Sequence, residues 1–203
     1  MTIHLHQGDL PDGLDFGDAV AVDSETMGLD ARRDRLCLVQ LSAGDGVCHL
    51  VQFANGVYDA PRLSALMTDA AVTKLFHFAR FDLMMLKRHL GIDVTPLFCT
   101  KIASKLVRTS TDRHGLKDLC RDLLGVELSK QQQTSDWGAQ ELTKEQLTYA
   151  ASDVLHLHAL REKLEPLLAR EGREGLAAGC FAALNVRAEL DLLGWEDPDI
   201  FSH

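Results

Sequence analysis

The strongest constraint on this fold is a set of short apolar runs closed by turn residues. Asp18 to Val22 reads Asp-Ala-Val-Ala-Val, Leu36–Ser42 reads Leu-Cys-Leu-Val-Gln-Leu-Ser, and Val47 to Phe53 reads Val-Cys-His-Leu-Val-Gln-Phe. Runs of this length and composition are strands, and the first is apolar enough to be buried on both faces. Gly44-Asp45-Gly46 separates the second run from the third and signals a hairpin. Thr73 to Phe78 adds another strand. Pro61–Thr68 predicts a short helix with proline in its first turn, and Arg80 to His89 another, with Phe81, Met84, Met85 and Leu86 at helical spacing. From Cys99 onward the pattern is helical: Thr100 to Arg108, then Leu116 to Leu124 stopped by Gly125. One long helix is expected from Thr143 to Arg170, opened by a Thr143/Gln146 capping box and kinked at Pro166. A last helix is expected from about Arg173 to Leu184, before an irregular tail. Strands early and helices late predict an α/β domain with a mixed sheet flanked by helices.

The 203 residues suit one sizeable domain, and 46% hydrophobic residues supply a core that needs no disulfides. The five cysteines (Cys37, Cys48, Cys99, Cys120 and Cys180) are scattered, odd in number and never in a C-x-x-C pair, which points to a reducing cytoplasm and away from zinc. His4, His6, Asp9 and Asp12 stand where a secretory signal would be basic and apolar. No run approaches the roughly 20 apolar residues of a membrane span. The net charge of −9 argues against a protein that coats long nucleic acid. It is compatible with a nuclease, because metal-binding acids add negative charge that bound cations offset.

Three stretches carry the chemistry. Asp23 and Glu25 close a buried strand, and side-chain alternation points both carboxylates to one side. Asp82 lies just beyond another strand, in the first turn of a helix. Tyr149 and Asp153 are four residues apart on a helix and share a face. Taken singly, each has an ordinary structural role, such as an acid complementing a helix dipole. Together they offer four acids and a phenol, the oxygen donors that hard divalent cations need.

In order and surroundings, Asp23-Ser24-Glu25-Thr26, Phe76-His77-Phe78-Ala79-Arg80-Phe81-Asp82 and Tyr149-Ala150-Ala151-Ser152-Asp153 resemble the three motifs of the DEDD 3′→5′ exonucleases. A tyrosine four residues before the last aspartate marks the DEDDy branch, which includes ribonuclease D. Lys130 to Trp137 also resembles ribonuclease D. Residues 6–11, Thr111 to Lys117 and Leu190 to Trp195 are similar to the compact nano-RNase C group. The resemblance implies a ribonuclease H-like fold and a single exonuclease domain over residues 1–203, without the HRDC domains of ribonuclease D. It implies two divalent cations, Mg²⁺ or Mn²⁺, that clamp the attacking and leaving oxygens of an in-line displacement. Asp23, Glu25 and Asp153 would hold one; Asp23 would bridge to the second, supported by Asp82; Tyr149 would orient the attacking water.

It further implies hydrolysis of dinucleotides and short RNA to 5′-mononucleotides at the end of RNA decay, by a cytoplasmic homo-oligomer, a ring of eight being one form. The alternative is a broader ribonuclease D-like enzyme trimming RNA or DNA 3′ ends. For substrate contact, Leu29 is a candidate base wedge, with core packing as its ordinary role. His77 and Phe81 would touch the terminal nucleotide. From the basic group Arg80, Lys101, Lys105, Arg108, Arg113, His114 and Lys117, one or two would grip a 5′ phosphate. Trp137 and Trp195 are expected as packing anchors, and the apolar tail of Leu190, Leu192, Leu193, Trp195 and Phe201 as a core cover or oligomer contact. Two readings from other classes are a catalytically dead nucleic-acid-binding module and a small-molecule phosphodiesterase.

Overall fold

A computed structural model describes residues 1–203 except 129–133, 196, 201 and 203. The first four residues of the Lys130 to Trp137 segment and Phe201 of the apolar tail therefore lie outside the described residues. Strands β1 (Thr2–Gln7), β2 (Ala19–Thr26), β3 (Leu36–Ser42), β4 (Val47–Gln52), β5 (Thr73–Phe76) and β6 (Leu97–Cys99) form one sheet in the order β1-β4-β3-β2-β5-β6. The β2–β3–β4 meander is antiparallel, while β1 joins β4, and β5 and β6 extend from β2, in parallel. The mixed sheet is as expected. The helices are α1 (Pro61–Thr68), α2 (Ala79–Leu90), α3 (Thr100–Val107), α4 (Leu116–Leu119), α5 (Lys144–Val154), α6 (Leu157–Arg170) and α7 (Glu174–Leu192).

Alternation along β2 sorts its side chains between two apolar layers. Val20 and Val22 pack with Leu63 and Met67 of α1, Leu83 and Leu86 of α2, and Leu184 and Ala188 of α7. Ala19 and Ala21 pack with Ala150, Ala151 and Val154 of α5 and with Leu157, Leu160 and Leu164 of α6. Continuing the same alternation, Asp23 and Glu25 fall on the α5 side and Ser24 on the α2 side. The sheet thus delivers two carboxylates to the helix that carries Asp153.

Several elements differ from the sequence reading. Strand β2 runs on through Thr26, so the acids lie inside the strand, next to a register shift between Glu25 and Thr26. Such irregularities re-aim side chains next to active sites. Strand β5 stops at Phe76, and Phe78 takes a left-handed turn (φ 69°, ψ 46°) into α2. The expected long helix is two, broken at Leu155 and His156 and continuous through Pro166. Unbroken, it would run about 42 Å; instead α5 covers β2 to β4 and α6 turns toward β5 and α3. The last helix continues to Leu192, well past Leu184. Strands β1 and β6 had no clear sequence signal: β1 is a largely exposed edge and β6 has three residues.

At the start of β5 a lysine is fully buried. Lys74 Nζ donates to the carbonyls of Asp69, Val72 and Thr95 at 2.7, 2.6 and 2.7 Å. It ties the turns entering β5 and β6 and so sets the strand that leads to the α2 turn. Replacing it with methionine leaves three carbonyls without that donor. Lys74→Met is expected to cost about 3 kcal/mol of stability, measured by urea denaturation.

Candidate active site

The three sequence motifs converge. Carboxylate oxygens of Asp23, Glu25 and Asp153 come within 4.8 Å of one another. Asp82 approaches from the α2 side, where its Oδ1 accepts a 2.5 Å hydrogen bond from Ser24 Oγ. The alternation in Asp-Ser-Glu therefore does two jobs: the acids face α5, and the serine between them holds the acid of α2. Tyr149 lies one turn before Asp153 on α5, and the phenol and the carboxyl shift each other's proton affinity. The capping box at Thr143 and Gln146, with both reciprocal hydrogen bonds made, starts α5 in the register that faces this pair toward the sheet.

Burial and mutual repulsion dominate the electrostatics. Burial raises the Asp23 carboxyl to about 7. Burial, followed by the carboxylates of Asp23, Asp153 and Asp82, raises Glu25. Asp82 and Asp153 are raised by burial and then by Asp23. The Tyr149 phenol is pushed above its ordinary value by burial and then by Asp153, Glu25 and Asp23. Four acids that resist ionising together are a site whose ionised form needs a countercharge, and the all-oxygen donor set fits Mg²⁺ or Mn²⁺.

The second line of contacts was poorly legible. Gln40 lies opposite Asp23 in the β2–β3 register and its Nε2 reaches Asp23 Oδ2 at 3.4 Å. Its Oε1 and the indole Nε1 of Trp137 are buried without a hydrogen-bond partner among the described residues. The available signal was a glutamine inside an otherwise apolar strand run. Trp137 is buried as expected and tilts against Tyr149 at 6.1 Å between centroids. Thr100 Oγ1 donates to the Phe76 carbonyl (3.1 Å), so in its 2.9 Å contact with His77 Nδ1 the ring nitrogen is the donor. His77 is thereby held in one tautomer, with Nε2 an acceptor. Burial, with Lys101 adding repulsion, lowers its pKa to about 3 and keeps it neutral. Lys101 Nζ lies 4.0 Å from the ring centroid of Phe78, which is 46% exposed.

Leu29 does not pack in the core; it is 87% exposed on the loop after β2. Thr26 Oγ1 donates to the Gly28 carbonyl, and a Cβ at residue 28 would lie 2.2 Å from Asp34 Oδ2, so any other residue there would have to displace the Asp34 side chain. Phe81 is half-buried against the α2-side core. Two of the expected phosphate contacts have intramolecular partners instead. The Arg80 guanidinium is bidentate to Asp191 of α7 at 2.5 and 2.8 Å, and His114 is buried with Nδ1 2.8 Å from Ser104 Oγ. Arg113 is exposed and Lys117 half-buried at the α3–α4 connection and in α4. Trp195 is no anchor but 51% exposed.

Comparison with known proteins accords with this geometry. A family model described as "3'-5' exonuclease" matches residues 10–169. The chain is 38% identical over 154 residues to ribonuclease D of Acidiphilium cryptum, covering 76% of this chain and 39% of that protein. It spans about two fifths of the length of the curated ribonucleases D that it matches. Two Brucella melitensis structures match along the whole chain: NrnC with bound Mg²⁺ (52% identity, TM-score 0.95, all of both chains) and NrnC bound to pGG (53%, 0.96, covering 99% of that chain). The chain belongs to the 3′-5′ exonuclease family, whose members are metal-dependent nucleases, and is of the ribonuclease D and NrnC type.

The raised carboxyl pKa values set a sign for metal-free stability. Between an ordinary carboxyl value near 4 and the folded value of about 7 for Asp23, the folded state binds more protons than the unfolded one. Metal-free protein should therefore lose stability as pH rises from about 5 to about 8, and Mg²⁺ should restore more at the upper end. Thermal melts across this range with EDTA or Mg²⁺ check it; a melting temperature that rises with pH in EDTA would contradict it.

Proposed function

We propose that this protein is a two-metal-ion 3′→5′ exoribonuclease that hydrolyses dinucleotides and short oligoribonucleotides to 5′-mononucleotides, working as one exonuclease unit over residues 1–203. The observation that carries the reading is the convergence of Asp23, Glu25 and Asp153 from a strand and a helix, with Asp82 brought in by Ser24. Asp23, Glu25 and Asp153 would hold one Mg²⁺ or Mn²⁺, and Asp23 with Asp82 a second. When bound, such cations lower the pKa of a coordinated water and offset charge on the leaving oxygen.

The chain's own groups would do the rest. Tyr149, whose phenol stays protonated, positions the water and is not its base. Leu29 would insert between two bases, a reading supported by its exposure on the loop after β2. His77 Nε2 accepts a hydrogen bond from a terminal ribose hydroxyl, and Phe81 and the exposed Phe78 offer apolar surface beside it. Arg113 and Lys117, whose side chains have no hydrogen bond or ion pair among the described residues comparable to those of Arg80 and His114, are the remaining candidates to grip a 5′ phosphate. Short RNA is favoured because pGG, the ligand of the NrnC structure, is a 5′-phosphorylated dinucleotide. The −9 charge also leaves little surface for a long polyanion. The exposed Leu193, Trp195 and Ile200 near the C-terminal helix support a homo-oligomer. The free cysteines suit the cytoplasm, and no helix among the described residues is long and apolar enough to cross a membrane.

A length series of 5′-labelled RNAs, from the dinucleotide to about ten nucleotides, tests the substrate class under Mg²⁺ and Mn²⁺. Dinucleotides should turn over fastest. Equal turnover at every length, or better turnover of structured RNA and DNA ends, would favour the broader ribonuclease D-like enzyme.

Single substitutions test the site. Asp23→Ala and Asp153→Ala should each lower kcat about 1,000-fold. Tyr149→Phe should lower it about 100-fold with little change in KM. Undiminished hydrolysis by Asp23→Ala would overturn the catalytic assignment.

A further inference from the structure

Three histidines gather on one face of the β1–β4 edge, on the opposite side of the sheet from the carboxylates. His4 and His49 are register partners across the parallel pair, and His6 follows His4 by two residues on the same side. His49 sits at the centre, its ring centroid 5.2 Å from that of His4 and 5.3 Å from that of His6, with the three rings nearly parallel. His6 Nε2 and His49 Nδ1 are 3.0 Å apart. Phe16 closes edge-on against His49 at 5.7 Å. The neighbours of His49 in β4, Cys48 and Leu50, belong to the layer under α5 and α6, so His49 faces the other way.

We propose that His4, His6 and His49 form a binding site for a transition-metal ion of the Zn²⁺, Ni²⁺ or Cu²⁺ class, separate in place and in chemistry from the carboxylate centre. Two neutral imidazoles with nitrogens 3.0 Å apart share one proton: one nitrogen donates and the other accepts. A cation can take the place of that proton. Bonds of about 2.0–2.1 Å at a tetrahedral angle set two nitrogens about 3.4 Å apart, so the pair would open by a few tenths of an ångström and both rings would pivot off their present head-to-head line to aim at one ion. As they stand the three histidines do not bring one nitrogen each within 4.8 Å of the others; rotation of the exposed His4 side chain, whose ring centroid is 5.2 Å from that of His49, would bring in the third. Solvent supplies the remaining position.

Imidazole donors select Zn²⁺, Ni²⁺ and Cu²⁺, whereas the carboxylates select Mg²⁺ and Mn²⁺. Burial, together with the neighbouring histidines, holds His6 and His49 below the ordinary histidine value, with Asp45 acting on His49 in the opposite sense. Their lone pairs are thus available at neutral pH. The ion would cross-link β1, an edge strand, to β4.

The test is calorimetric titration of Ni²⁺ into the full chain in excess Mg²⁺, for the native protein and for His6→Gln, His49→Ala and Asp153→Asn. One equivalent should bind to the native protein and to Asp153→Asn, and at least about tenfold more weakly to each histidine variant. Electron paramagnetic resonance with Cu²⁺ should show nitrogen couplings that His49→Ala loses, with circular dichroism confirming that both histidine variants fold. Ni²⁺ affinity unchanged in His6→Gln and His49→Ala, or lost in Asp153→Asn, would overturn the site.

Discussion

Everything at the centre of this molecule depends on holding four carboxyls closer together than their charges allow. Asp23, Glu25 and Asp153 face one another across the β2–α5 seam, and Asp82 closes the group from the far side of the sheet. Each is pushed toward its protonated form by burial before repulsion adds to it. An unmetallated centre of this kind opposes folding, so the rest of the fold must over-determine it. Two apolar layers do so by clamping β2 from both faces, and the Thr143 capping box sets the register of α5.

The same strand explains the division of labour. With a period of two, Asp-Ser-Glu places acids on one face and a hydroxyl on the other. The hydroxyl reaches the one acid that belongs to a helix on the opposite layer. Threonine in place of Ser24 would keep a hydroxyl but add a methyl group at a crowded seam; alanine would remove the donor and leave a buried carboxyl without it. The Phe78 turn performs a comparable service for α2. A left-handed conformation is uncommon outside glycine and is kept where surrounding structure demands it. Here it swings the chain from β5 into a helix whose first turn carries Asp82.

Much of this was legible beforehand. The strands β2, β3 and β4, the hairpin turn and helix α1 follow from apolar runs and turn residues, because those signals are local. The acids and Tyr149 were legible from spacing and family resemblance. Gln40 and Thr100 were not, since nothing in a local pattern says that a strand glutamine lies opposite Asp23 or that a helix-start threonine fixes a histidine tautomer. Arg80 and His114 looked like free basic groups for a similar reason: their partners are Asp191 and Ser104, 111 and 10 residues away. The long helix failed at Leu155 because the two halves pack on different elements, α5 on β2 to β4 and α6 on β5 and α3, which periodicity cannot register.

The sequence by itself determined which groups were available: oxygen donors for cations, and the strand and helix faces that carry them. Tertiary structure decided which of them meet. Side-chain periodicity is a property of neighbouring residues, whereas the approach of Asp153 to Asp23, or of His6 to His49, depends on strand order and helix docking. Those depend on the burial of apolar surface by the whole chain at once.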